Sequence, residues 1–210
     1  MLLVCTQKFT RFFHFQLPQK NESLPPTNAA YMQQVTLADK TFRLYISEQQ
    51  IQAAVKEVAE KINNDYIGKQ PLLIPILNGS FMFAADLMKQ LHCDCHLSFI
   101  KAASYHGGTA TTGMVSSLIG LTENLEGRHV IVLEDIVDSG HTLAKVLPAF
   151  AEKNPASLKV ATLLFKPNAL KVPVQMDYVG LEIPNEFIVG YGLDYEGLGR
   201  NLRDIYVVVE

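Results

Sequence analysis

Val130-Ile131-Val132-Leu133-Glu134-Asp135-Ile136-Val137-Asp138-Ser139-Gly140-His141-Thr142-Leu143 is the stretch from which the rest of the chain can be read. Val130 to Leu133 is short, β-branched and apolar throughout, the composition of a strand buried on both faces. Ser139, Gly140 and Thr142 precede a helical pattern from Leu143 to Ala151, so the segment reads as strand, polar loop and helix. A helix start offers outward N–H groups and the positive end of a dipole, and Gly140 lets an anion approach the backbone. The junction is therefore a candidate phosphate site. Glu134, Asp135 and Asp138 stand just before it and would repel a phosphate placed beside them. Their expected partners are hydroxyls, a protonated ring nitrogen or a divalent cation. One ligand with a phosphate, a diol and a reacting centre would satisfy all of them.

Working outward, Phe42, Leu44 and Ile46 alternate as in a strand, and Ser47 is placed to cap a helix through Lys61. Leu72 to Leu77 reads as a buried strand, and Phe81 to Leu91 as a helix with Phe83, Leu87 and Leu91 on its apolar face. Leu97 to Ala103 and Val115 to Leu121 read as strands on either side of a polar loop. Leu158 to Phe165, Gln175 to Ile183 and Ile205 to Val209 complete the set, with no internal repeat. Strands alternating with helices predict an α/β fold with an open, mainly parallel sheet flanked by helices. Ligands bind such sheets at the carboxyl ends of the strands, where Asn78, Asp135 and Lys166 all fall.

A chain of 210 residues, 48% of them hydrophobic, can bury a sizeable core in one domain with room for a small subdomain. A net charge of −3 gives no electrostatic reason to expect a nucleic-acid or membrane-surface partner, which favours a small molecule. No apolar run approaches the roughly 20 residues that span a bilayer. Residues 1–31 differ in composition, with a basic, Phe-rich Lys8 to Phe15 followed by a polar stretch around Pro25-Pro26. They read as a poorly ordered extension to a domain over 32–210, and Met32 is an alternative start. Gln7, Lys8, Thr10 and Arg11 interrupt the apolar core that a secretory signal needs. Three cysteines fit a reducing compartment, the cytoplasm by default. In His92-Cys93-Asp94-Cys95-His96 the two cysteines would share one strand face and the other three residues the opposite one. Four of them could not close around one zinc, so a helix-to-strand connection is expected.

The order of apolar and acidic residues in the opening stretch resembles the loop that binds phosphoribosyl diphosphate in type I phosphoribosyltransferases. Leu77-Asn78-Gly79-Ser80, Ser104-Tyr105 before a Gly/Thr-rich loop, Lys166 after a strand, and Glu186-Phe187-Ile188-Val189-Gly190-Tyr191-Gly192-Leu193-Asp194-Tyr195 narrow the likeness. Together they are similar to the hypoxanthine (guanine) phosphoribosyltransferases, from about Phe42 to the C-terminus. The resemblance implies the type I phosphoribosyltransferase fold with a small hood subdomain, to which Pro184 to Arg200 contributes. It implies purine salvage in the cytoplasm, by transfer of phosphoribosyl from 5-phosphoribosyl 1-diphosphate to N9 of hypoxanthine, and of guanine, with Mg²⁺. It also implies a homodimer or homotetramer.

Residue by residue, the resemblance assigns the ribose hydroxyls to Glu134 and Asp135, as pure acceptors, with solvated loop carboxylates as the alternative. Asp138 becomes the general acid/base at the purine N7, against a plain helix cap. Ser139, Gly140, His141 and Thr142 cradle the 5′-phosphate, His141 through its backbone. Asn78, Gly79, Ser104, Tyr105 and Arg200 take the diphosphate, and the loop from His106 to Gly113 becomes a lid that excludes water. Asn78 departs from the family's usual Lys or Arg and so removes a cation there. Lys166 would bond the 6-oxo group, Phe187 stack on the base and Ile188 offer backbone groups to its edge. Glu134, Asp135 and Asp194 are the expected Mg²⁺ ligands. Two rivals remain at this point: a regulator that senses phosphoribosyl diphosphate, and an enzyme of the same fold that prefers xanthine.

Overall fold

The computed structural model describes residues 34–101 and 120–209. The extension 1–31, Ser104, Tyr105, the Gly/Thr-rich loop and nearly all of the expected strand 115–121 lie outside the described residues. In chain order the elements are β1 (Gln34–Leu37), β2 (Lys40–Ile46), α1 (Glu48–Asp65), β3 (Leu72–Leu77), α2 (Phe81–Gln90), β4 (His96–Leu97) and β5 (Ile100–Lys101). They continue with β6 (His129–Val137), α3 (His141–Ala151), β7 (Ser157–Phe165), β8 (Tyr178–Glu182), β9 (Ile188–Val189) and β10 (Ile205–Val208).

The larger sheet runs β4-β3-β6-β7-β8, with β5 also on β3, and every pairing in it is parallel. At its centre β3 and the first half of β6 are apolar because helices cover both faces. Leu72, Ile74 and Ile76 of β3 and Val130 and Val132 of β6 meet Leu143, Val146 and Phe150 of α3. Leu73, Ile131 and Leu133 point the other way, into a core shared with α1 and α2. Helix α1 contributes the stripe Ile51, Ala54, Val55, Val58, Ala59 and Ile62. Its start is held by a capping box between Ser47 and Gln50 and by Asp204, which accepts a hydrogen bond from the Glu48 N–H at 2.7 Å.

Two boundaries differ from the sequence reading. Strand β6 does not end at Leu133: Glu134 pairs with Thr162, Ile136 with Leu164 and Val137 with Phe165, so Glu134 and Asp135 stand on a strand and not on a loop. The apolar run of β7 to Phe165 extends the ladder and carries the two acids with it. The expected strand from Leu97 to Ala103 is split, for β4 and β5 are two-residue pieces separated by Ser98-Phe99.

A second sheet runs β1-β2-β10-β9 and is antiparallel, joining residues near both ends of the described chain. Neither β1 nor β9 is foreseen by the sequence reading. The turn between β1 and β2 is Ala38-Asp39, with Ala38 at φ +50°, and it lacks the Asn-Gly or Asp-Gly signal of a tight hairpin. Strand β9 is only two residues long.

Candidate active site

The carboxyl ends of β3, β6 and β7 converge as expected, bringing Asn78, Asp135 and Lys166 to one edge. After β6 the chain turns through Asp138 and Ser139 into α3. Gly140 is the residue before the helix at φ +80°, and a Cβ there would lie 2.5 Å from the Val172 carbonyl, so the loop demands glycine. The Ser139 carbonyl accepts the N–H groups of Lys171 and Val172, which buttress the loop from behind. A pocket of about 80 Å³ opens here among Glu134, Asp138, Ser139, Gly140 and Thr142. His141 and Thr142, both exposed, form the first turn of α3, whose leading N–H groups have no partner within the helix. A larger cavity, about 390 Å³, lies between α1, β2 and the end of β8, away from these groups, and its acids are Glu57 and Glu182.

Asp138 does not cap α3, since no side chain does. It forms an ion pair with Lys166 across the ends of β6 and β7, Nζ to Oδ2, at 2.8 Å. Lys166 is buried and Asp138 half-exposed, so the cation is held in the wall and the carboxylate faces outward.

The acids on β6 are in a different state. Burial pushes the Glu134 carboxyl well above its usual range, and the neighbouring Asp135 charge adds to the effect. Burial also pushes Asp135 up to about 6, against the lowering influence of the Ile136 N–H, its own N–H and Arg200. Asp194 raises it further. No ion pair among the described residues engages either acid. The Asp135 carboxylate lies over Gly79, where a Cβ would be 1.5 Å from Oδ2, so glycine is required by close approach. Asn78 is exposed, and the Leu77–Asn78 peptide is cis.

The loop after β9 closes over that glycine. Gly192 has φ +99°, and a Cβ on it would lie 2.0 Å from the Gly79 carbonyl. Arg200 donates to the Gly192 carbonyl at 2.6 Å and pairs with Asp194 at 2.5 Å, while Asp194 also accepts the Gly197 N–H at 2.8 Å. Phe187 is 46% exposed and braced by Phe42 and by the edge of Tyr195, with centroids 6.1 and 5.7 Å away. The Tyr195 hydroxyl in turn donates to Asp39 in the β1–β2 turn at 2.7 Å. Ile188 buries its side chain, and its backbone lies opposite Val207 of β10. The bracing of Phe187 by Phe42, Tyr195 and Asp39 escapes sequence reading, because it depends on the unforeseen hairpin.

Residues 45–196 match the phosphoribosyl transferase domain family, and the chain belongs to it. It is 42% identical over 168 residues to a hypoxanthine-guanine phosphoribosyltransferase of Streptococcus pneumoniae, covering 80% of this chain and 93% of that one. One from Lactococcus lactis is 44% identical, covering 79% and 90%. Among solved structures, a Trypanosoma cruzi hypoxanthine phosphoribosyltransferase in a ternary substrates complex has a TM-score of 0.73 at 40% identity, covering 82% of this chain and 96% of that one. The protein is thus a phosphoribosyltransferase of the expected type I fold. The relatives give no support to the regulator or the xanthine reading.

Proposed function

We propose that the protein moves the phosphoribosyl group of 5-phosphoribosyl 1-diphosphate to N9 of hypoxanthine and of guanine, releasing diphosphate. The observation that carries the base class is the Asp138–Lys166 pair. A 6-oxopurine presents O6 and N7 side by side on one edge, whereas adenine puts an amino donor at the 6-position. Lys166 can donate to O6 while Asp138, 2.8 Å from it, accepts the N7 proton as N9 bonds to the anomeric carbon and the bond to diphosphate breaks. An amino group at the 6-position would face a cation with nothing to accept.

The phosphate cradle follows Asp138 directly in the chain, so base and 5′-phosphate are held on two sides of the ribose. Ser139, Gly140, His141 and Thr142 take the phosphate, Glu134 and Asp135 the hydroxyls, and Phe187 and Ile188 the base. Asn78, Gly79 and Arg200 meet the diphosphate, with Ser104 and Tyr105 assigned to it by the family likeness. The oxygen donors of Glu134, Asp135 and Asp194 suit a hard divalent cation, and Asp194 is close enough to Asp135 to raise the cost of its charge. When bound, Mg²⁺ neutralises the leaving diphosphate.

The expected setting is purine salvage in the cytoplasm; no helix among the described residues is long and apolar enough to cross a membrane. Assembly as a homodimer or homotetramer is expected from the family likeness. The test is conversion of hypoxanthine, guanine, xanthine and adenine by the purified protein with Mg²⁺ and phosphoribosyl diphosphate. Turnover of the first two is expected, and turnover of adenine alone would overturn the assignment of Lys166.

A further inference from the structure

Asp86 lies on α2, seven residues after Gly79, and ties three separate parts of the chain together. Its Oδ2 accepts from Gln52 Nε2 of α1 at 2.6 Å and from the Tyr191 hydroxyl at 2.7 Å, while Oδ1 accepts from Lys89 at 2.8 Å. Burial works against its charge, yet the bonds from Lys89, Tyr191 and Gln52 prevail and hold the carboxyl below its usual range. Tyr191 is only 2% exposed and sits at φ +47°, a conformation that a bulky residue keeps only when its surroundings impose it. Its N–H donates to the Leu202 carbonyl at 2.9 Å.

What Tyr191 anchors is the next residue. The Gly192 backbone rests on Gly79, and its carbonyl receives Arg200, which pairs with Asp194. Helix α2 begins at Phe81, just past Gly79, so a single carboxylate on α2 fixes the loop of Asp194 and Arg200 relative to the loop of Asn78 and Gly79. Those two loops are the walls between which the diphosphate would lie.

We propose that Asp86 is a positioning residue for the diphosphate end of the site: with Gln52 it holds Tyr191, and through Tyr191 it sets Gly192, Asp194 and Arg200 against Gly79. This rests on the assignment of those loops to the diphosphate. The experiment compares the full chain with Tyr191→Phe, Asp86→Asn and their combination. Each single change is expected to raise KM for phosphoribosyl diphosphate about tenfold, with KM for hypoxanthine within about twofold of wild type. The combination should be no worse than the weaker single variant, since both break one linkage. Lys89→Ala, which removes only the exposed partner, should leave both constants unchanged. A fall in melting temperature without the KM change, or an equal rise in both KM values, overturns the proposal. If Tyr191→Phe fails to fold, Gln52→Ala loosens the same carboxylate and is held to the same standard. Calorimetric titration with Mg²⁺ and inorganic diphosphate keeps the test independent of turnover. Binding about tenfold weaker in Tyr191→Phe supports the clamp even if no base is converted. Equal affinity in the two proteins, or no binding to wild type, overturns it.

Discussion

The two ends of the parallel sheet treat charge in opposite ways. At the amino end, where β7 and β8 begin, Asp65 from the end of α1 accepts from Lys159 at 2.8 Å and from the Tyr178 hydroxyl at 2.6 Å. Lys159 also lies over the rings of Tyr66 and Tyr178. The Lys159 bond first, and the Tyr178 bond second, hold the Asp65 carboxyl below its usual range. At the carboxyl end, Glu134 and Asp135 are pushed the other way by burial and form no ion pair among the described residues, with the Arg200 charge only partly offsetting the rise at Asp135. One end completes its charges within the protein. The other pairs Asp138 with Lys166 but leaves Glu134 and Asp135 without an ion-pair partner for a ligand to complete, a local cost to stability that is characteristic of sites kept for function.

The comparison is broken most directly at Asp138. Asp138→Asn keeps the shape and an acceptor for Lys166 but removes the proton acceptor, so kcat/KM for hypoxanthine should fall by about 10²- to 10⁴-fold. The melting temperature should shift by no more than a few degrees, because Asp138 is half-exposed. Turnover unchanged by this substitution would mean that the carboxyl end does not hold its acids for chemistry. Asp135→Asn carries the contrast into stability. Relieving a part-buried charge that has no ion-pair partner should stabilise the ligand-free protein, by about 1 kcal/mol in denaturant unfolding at pH 7.5, while Mg²⁺-dependent binding of the diphosphate donor is lost. A destabilised variant would show that Asp135 is compensated in the free protein after all.

Local chemistry decides how much of this could be read in advance. Strand β3, the apolar half of β6 and the capped start of α1 are written in short windows of sequence, and the structure places them within a few residues of the reading. Glu134 and Asp135 are legible as acids next to a phosphate loop. Their place on a strand is not, because it depends on how far β7 extends the ladder. The Ala38-Asp39 turn lacks the usual hairpin residues, so β1 and the Asp39–Tyr195 bond go unseen. Asp86 and Tyr191 lie 105 residues apart, and nothing in either neighbourhood marks one as the partner of the other.

Two smaller effects sharpen the picture of the amino end. Tyr66 buries its hydroxyl there without a hydrogen-bond partner among the described residues. Removing it in Tyr66→Phe should therefore leave stability unchanged or raise it by up to about 1 kcal/mol, whereas a loss beyond that would reveal a bound water completing the cluster.

The smallest effect belongs to Asp65, whose pair with Lys159 is open to solvent on one side and is screened accordingly. Its folded carboxyl titrates below the unfolded one, so the native state binds fewer protons than the unfolded state in the interval between them. The stabilisation is present above about pH 4 and drains away as the pH falls through the folded value. Asp65→Asn should cost no more than about 0.5 kcal/mol at neutral pH. The variant and wild type should then converge in melting temperature as the pH falls through the folded carboxyl's titration, because wild-type Asp65 is then as uncharged as the Asn that replaces it. A gap that stays constant after the wild-type carboxyl has been fully protonated would assign the effect to contacts that do not depend on its charge. The amino end would then be held by neutral contacts, not by completed charge.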